Sequence, residues 1–354
     1  MRYLVTGATG FVGNNIVREL LARGEQVRVL TRPSADPRPL AGLALETISG
    51  DVTDPDAVQA ACQNCDVVIH AAGVVHIGWQ GLPEMERVNV YGTRLVAAAA
   101  RNVGARLLHI STGNAIGVST KREPADEDQA YPQSLPIPYV VTKKQGEKVV
   151  QEEIIQGLDA VILNPGYMLG PWDWKPTSGK MLLEVMRLKP IGAPWGGHSL
   201  CDVRDVTQAI LTAVSKGRCG QRYILAGHNL TFLETWRMYA KICGGSAPRF
   251  RFGPINRFLG QFIADGQTWL RGEEGDFNSA SIRMSSQYHY FSSEKARREL
   301  GYTTRSAEES IRAAWEWLVQ YGYTAAPAKQ QQRTAVPPVA SHSLSGQSNR
   351  THSD

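Results

Sequence analysis

The chain has 354 residues, 42% hydrophobic and 20% charged, with a formal net charge of +5. That length supports one large or two closely joined domains, and the balance reads as globular. No basic block points to nucleic acid, no apolar run reaches the roughly 18 residues of a membrane span, and no secretory leader opens the chain. A cytoplasmic protein with no nucleic-acid or membrane partner is expected.

In chain order, β-branched apolar runs predict strands over 2–6, 26–30, 45–49, 66–70, 106–111 and 160–164. Helical spacing predicts helices over 11–23, 55–62, 82–103 and 140–156 between them. Strands that alternate with helices build βαβ units and a parallel sheet. The strands are apolar throughout, as expected when helices cover both faces. Beyond residue 165 the alternation breaks. Helices are predicted over 180–188, 203–216, 231–243, 255–271, 292–300 and 306–321, and a strand over 221–226, with loops between them. Residues 325–354 are polar and lack apolar periodicity, which predicts a disordered tail. Five cysteines, an odd number in a chain of this size, argue against a disulfide framework. Cys62 and Cys65 form a single C-x-x-C without partner ligands, so buried thiols and no metal site are expected.

The first strand runs into LVTGATGFVG, with Gly7, Gly10 and Gly13 at the strand–helix turn. Glycines there allow the tight turn, close approach of a pyrophosphate and close helix packing, while the helix N-terminus offers free N–H groups. Thr9, Phe11 and Val12 of the same turn are assigned to this site. After the second strand stand Thr31 and Arg32 where a ribose-binding acid would sit; arginine suits a 2′-phosphate and favours NADPH over NADH. Asp51 and Val52 of GDVTD flank the adenine, and Ala71, Ala72 and Gly73 of HAAG leave room for a cofactor over the fourth strand.

On the helix that follows Pro138, Tyr139 and Lys143 are four residues apart and share a face. An ammonium near a phenol favours its ionised form, which suits a general acid/base.

TGATGFVG, GDVTD, HAAG, NVYGT, ISTGNAIG, YVVTK and NPGYMLGP occur in this order. Together they resemble the extended short-chain dehydrogenase/reductase superfamily, its NAD-dependent epimerase/dehydratase branch, and there the dihydroflavonol-reductase-like and sugar-epimerase-like proteins. The resemblance spans residues 1–324. It implies an α/β fold: a Rossmann doubly wound parallel sheet with helices on both faces, plus a smaller, mainly helical C-terminal substrate lobe. The domains would be 1–165 with 200–228 for NAD(P), and 166–199 with 229–324 for substrate. It implies catalytic roles for Tyr139, Lys143 and Thr112, with Ser111 beside Thr112 at the cofactor. Asn89 would support the site, and Pro165 and Gly166 would sit beside the nicotinamide carboxamide. Lys143 would lower the Tyr139 pKa and hold the nicotinamide ribose. Helices 82–103 and 140–156 would form a homodimer interface.

Nucleotide-sugar members of the branch carry a diphosphate-clamping arginine just before the helix at 203. Here the run reads GGHSLCDVRDV, with His198 near that place. On the substrate side, Trp172 and Trp174 either wall the substrate or pack the second lobe, with Lys175 or Lys180 available for an anionic group. His76 and Trp79 of VVHIGW are placed over the site, His76 either on substrate or structural. The helix 255–271 reads as a core-facing helix of the substrate lobe, with a membrane-surface helix or a lid as the other readings. The leading functional expectation is an NADPH- or NAD-dependent reductase or dehydrogenase of a small carbonyl or hydroxyl compound. A sugar epimerase or dehydratase that retains NAD is the second, and a non-catalytic dinucleotide sensor the third.

Overall fold

The computed structural model describes residues 1–128 and 135–324; the tail read over 325–354 lies outside them. The first half alternates β1 (Arg2–Thr6), α1 (Phe11–Ala22), β2 (Gln26–Thr31), β3 (Glu46–Ser49), α2 (Pro55–Cys62) and β4 (Val67–His70). A helical run follows: α3 (Leu82–Met85), a π-helical turn Glu86–Gly92 and α4 (Thr93–Val103). Then come β5 (Arg106–Ile110), α5 (Pro138–Ile155) and β6 (Ala160–Pro165).

The second half contains β7 (Tyr167–Leu169), α6 (Ser178–Leu188), β8 (Gly192–Ala193), β9 (Gly197–Asp202), α7 (Val203–Lys216) and β10 (Arg222–Leu225). It continues with β11 (His228–Thr231), α8 (Phe232–Cys243), β12 (Phe250–Arg251), α9 (Pro254–Arg271) and α10 (Ser279–Ser285). It closes with β13 (Tyr288–His289), α11 (Glu294–Leu300) and α12 (Ala307–Gln320).

The main sheet has seven strands in the order β10-β6-β5-β4-β1-β2-β3, and every pairing is parallel. This is the doubly wound order, with its switch point between β1 and β4. Strand alternation divides the core in two. Val5, Val29, Ile69, Leu108 and Leu163 face Ile16, Val17, Val206 and Ile210 of α1 and α7. Leu4, Val68, Leu107 and Ile162 face Val58, Val96 and Val150 of α2, α4 and α5. Full burial of such a side chain is worth about 1.5–3 kcal/mol, so these two faces fix the sheet register.

Local signals set the helix ends. Asp54 caps α2 ahead of Pro55, and Thr231–Glu234 and Ser306–Glu309 form capping boxes on α8 and α12. Gly104, Gly244 and Gly301 end α4, α8 and α11 in the left-handed region.

The second half departs from the sequence reading in three places. The run before α7, read as a loop, contains β9, which pairs with β7, β11 and β13 in a second sheet. All six of its residues are buried, so it carries no alternation to read. α10, read as loop, starts at a capping box made by Asn278 and Ser281. The third departure is α9, read as core-facing. It buries the narrow side that contains Ala264 and turns Phe258, Leu259, Phe262 and Ile263 outward, at 70%, 52%, 74% and 54% exposure.

Candidate active site

α5 begins with Ile137 extended and Pro138 in the first turn, where a missing N–H costs nothing. Tyr139 therefore enters the helix at its first turn, over the C-terminal end of β5. Its phenol hydrogen-bonds the side chain of Thr112, with burial raising its pKa above 10 and the Thr112 bond lowering it. The lowering expected from Lys143 is not what the geometry gives. The Lys143 ammonium donates to the Ile110 carbonyl at 2.7 Å, and its own burial brings it down to about 8, against the pull of Glu147. At neutral pH the site presents a protonated phenol and an ammonium.

Thr112 Oγ1 also accepts from the Asn114 N–H at 3.3 Å, and its carbonyl accepts from Asn164 Nδ2 at 3.0 Å. Asn89 lies in the π-helical turn, buried. Its amide accepts from the Val74 N–H at 2.8 Å and donates to the Val74 carbonyl at 3.0 Å and Thr142 Oγ1 at 3.1 Å. It thereby ties the loop after β4 to α5. Gly146 permits this contact, because a Cβ there would meet the Asn89 carbonyl at 2.7 Å.

One turn beyond Lys143, sequence reasoning passed over Glu147. Its carboxylate is buried and accepts from Ser111 Oγ, from Asn164 Nδ2 at 2.6 Å and from Arg222 at 2.7 Å. Ser111 is thus spent on this network, under the site rather than in the groove. The available signal was the spacing Tyr139–Lys143–Glu147 on one helix face. Beside the network lie His70, bonded to Thr6 Oγ1 at 2.7 Å and Thr93 Oγ1 at 3.1 Å, and His109, whose ring lies 5.5 Å away. Burial, then the Lys143 charge, pushes His70 down to about 3 and His109 well below 6.5.

The groove for a dinucleotide runs along the strand ends. Gly7 has φ +71°, and a Cβ there would stand 2.5 Å from the Ala72 N–H nitrogen. A Cβ on Gly13 would stand 2.2 Å from the Gly7 carbonyl. These residues must be glycine for α1 to approach β1 and β4. The α1 N-terminus has no side-chain cap, so its N–H groups are available to phosphate. Thr9, Phe11 and Val12 are part-exposed along this turn, as are Ala71, Ala72 and Gly73 opposite.

At the adenosine end, Arg32 is exposed just past β2 and Val52 is buried. Asp51 accepts from the Thr53 N–H at 2.9 Å and its hydroxyl at 2.8 Å. Burial raises its carboxyl, but these bonds and the charges of Arg87 and Arg32 hold it below 3.8. Arg87, which donates to Thr53 Oγ1 at 2.8 Å, is a second cation here that the sequence reading missed. At the other end, Gly166 N–H donates to the Leu225 carbonyl at 3.1 Å, which holds the Pro165–Gly166 turn between the two sheets. Glycine cradle, uncapped helix and exposed arginine together fit a dinucleotide.

On the substrate side the predicted residues separate. Trp79 packs in the cluster that holds Tyr139, Val140 and Ala280, and its Nε1 donates to Ser279 Oγ at 2.9 Å. His76, part-buried, faces Glu274 at 3.3 Å, and Lys180 pairs with Asp276. Trp172 and Trp174 pack against Trp317 and Tyr321 of the C-terminal helix region, with the Arg18 guanidinium 3.5 Å over Trp172. Asp173 between them accepts from Thr177 and Gly179 N–H groups at the start of α6. His198 is buried in β9, stacked on Tyr167 at 4.4 Å and bonded to Thr235 at 2.9 Å. Arg204 forks onto Asp202.

Residues 3–226 match the NAD dependent epimerase/dehydratase family, and the chain belongs to that family. It is an NAD(P)-dependent enzyme that works at a carbonyl or CH–OH group. It is 32% identical to sterol demethylase protein B of Methylococcus capsulatus over 91% of this chain and 99% of that one. It is 33% identical to a candidate dihydroflavonol 4-reductase of Synechocystis sp. over 91% and 95%. The solved structure of gox2253 superposes with TM-score 0.79 at 32% identity, over 90% and 98%. A nucleoside-diphosphate-sugar epimerase of Pseudomonas aeruginosa superposes with TM-score 0.74 at 25% identity, over 91% and 99%.

Proposed function

We propose that the protein is an NADPH-preferring reductase that interconverts a carbonyl and a secondary alcohol on a largely apolar small molecule. The observation that carries this is the Tyr139–Thr112 hydrogen bond over the Lys143 ammonium, at the strand ends beside the glycine turn. A phenol kept protonated by burial is a proton donor. Tyr139 gives its proton to the substrate oxygen, Thr112 hydrogen-bonds the same oxygen, and Lys143 holds the nicotinamide ribose and supports the charge left on the phenol. The bound reduced nicotinamide supplies hydride. Asn89 and Glu147 position the helix and loop that bear these groups. Gly7, Gly10 and Gly13 would receive the pyrophosphate, and Arg32, with Arg87 near it, the 2′-phosphate.

The substrate class is supported by two features. One relative is named for a sterol and another for a dihydroflavonol, both ring compounds without a diphosphate. At the place where a diphosphate clamp would stand, His198 is committed to the core. An epimerase that retains NAD would use the same tyrosine, and the solved sugar-epimerase neighbour keeps that reading in play. We further propose a homodimer through α3–α4 and α5, which pack side by side, and a cytoplasmic location, which five unpaired cysteines suit.

The test is absorbance of NADPH during turnover of sterol-like and flavonoid-like ketones. Stoichiometric cofactor oxidation is expected. Tyr139→Phe should reduce turnover by roughly 10²–10⁴-fold while leaving cofactor affinity unchanged. Near-full activity in that variant, or turnover without net cofactor oxidation, would remove the reductase reading.

A further inference from the structure

α9 is amphipathic the wrong way round for a core helix. Gly260, Ala264 and Thr268, with Gln261, lie on its inward side, and a Cβ at Gly260 would be 3.5 Å from Ile282 of α10. The opposite face, 180° away on a 100°-per-residue wheel, carries Ile255, Phe258, Leu259, Phe262 and Ile263, and further along Trp269 and Leu270. Trp269 is 82% exposed and Leu270 76%. Eighteen residues make this stripe about 27 Å long. Seven large apolar side chains on one outward face exceed what scattered surface hydrophobics explain.

The stripe continues at its N-terminal end. β12 pairs with β8, which brings exposed Phe250 beside exposed Ile191 and Trp195. Around these stand Lys189 and Arg249, both exposed, and Arg251, whose guanidinium lies 5.7 Å over the Trp195 ring. No ion pair among the described residues engages Lys189, Arg249 or Arg251. Cations without partners beside exposed tryptophan and phenylalanine complement an anionic lipid surface. No helix among the described residues is long and apolar enough to cross a membrane, so the contact is one of lying on the surface.

We propose that α9, with the β8–β12 edge, is a docking face for an anionic lipid bilayer. The helix sits next to the chemistry. A cavity of about 340 Å³ lies between α9 and α10, lined by Leu135, Arg257, Gln261, Arg283, Ser286 and Gln287. Leu135 packs in the cluster that contains Tyr139 and Trp79. Docking therefore places the substrate side against the bilayer, where an apolar substrate dissolves; this last step rests on the reductase reading, and the docking does not.

The test is sedimentation of the full chain with vesicles of phosphatidylcholine alone and of phosphatidylcholine mixed with phosphatidylglycerol. The wild type should sediment with the mixed vesicles, less so at high salt. Phe258→Glu with Phe262→Glu should reduce the bound fraction by about tenfold or more, since each loses the transfer of an aromatic side chain. Lys189→Gln with Arg249→Gln should weaken binding to the mixed vesicles only. Both variants should keep the wild-type melting temperature and NADPH affinity. Absence of wild-type sedimentation, or sedimentation unchanged by the glutamates, would overturn the proposal. So would a light-scattering mass that drops from dimer to monomer in the glutamate variant, because the face would then be a contact between copies. Vesicle binding without NADPH-linked turnover would leave docking standing and remove the reductase reading instead.

Discussion

Arg32 and Tyr139 show how differently single residues can be read. Arg32 is a surface cation whose meaning comes from its place at the end of β2, and that place was legible from the strand pattern. No carboxylate stands at 31 or 32 to repel a 2′-phosphate, and a charge-assisted hydrogen bond is worth about 1.5–3 kcal/mol. A single such bond corresponds to roughly tenfold to hundredfold tighter NADPH than NADH. Thr31→Asp with Arg32→Asn should reverse that order, read as dissociation constants for both reduced cofactors at fixed ionic strength. Tighter wild-type binding of NADH would shift the assignment to an NAD enzyme. For Tyr139, the sequence supplied the lysine four residues on but not the direction of the effect. Its pKa is set by burial and by Thr112, and burial is a property of the packed loop and sheet, not of the i, i+4 spacing.

Among the elements, α5 carries the site and is held from below. The Glu147 carboxylate joins α5 to β5 through Ser111, to β6 through Asn164 and to β10 through Arg222. Its side chain is 3% exposed and that of Arg222 29%. Removing one partner of a buried ion pair typically costs about 3–5 kcal/mol, because the other polar groups are left unpaired. Glu147→Ala should therefore lose about 3 kcal/mol or somewhat less, given the partial exposure of Arg222, while Glu147→Gln keeps some hydrogen bonds and loses less. Urea unfolding of the three proteins checks the order; equal stability of wild type and alanine variant would mean the network is dispensable. β9 gives the opposite lesson about legibility. GHSLCD has no β-branched residue and no alternation, and its strand form comes from β7, β11 and β13 on either side.

For the whole molecule, four buried histidines set the acid limit. His70 and His198 are pushed down to about 3, His289 to about 4 and His109 well below 6.5, each first by burial. The unfolded chain protonates near 6.5 while the folded protein does not, so the stability is complete above about pH 6.5 and falls as pH drops toward the folded values. Asp173, raised to about 6 by burial, works in the other direction below pH 6, but it is one group against four. The melting temperature should decline from pH 6.5 to 5, and His198→Gln should soften that decline. A flat profile over this window would contradict it.

The sequence by itself determined the doubly wound half of the molecule: six strands, the glycine turn and the Tyr139–Lys143 helix follow from apolar runs, turn glycines and 3.6-residue spacing, all of which are local. Tertiary structure decided what depends on distant partners. It made β9 a strand and brought Glu147 together with Ser111, Asn164 and Arg222. It turned Trp172 and Trp174 toward Trp317. It also set the apolar stripe of α9 outward, because a helical period reports that one face is apolar and only the surrounding packing determines which way that face points.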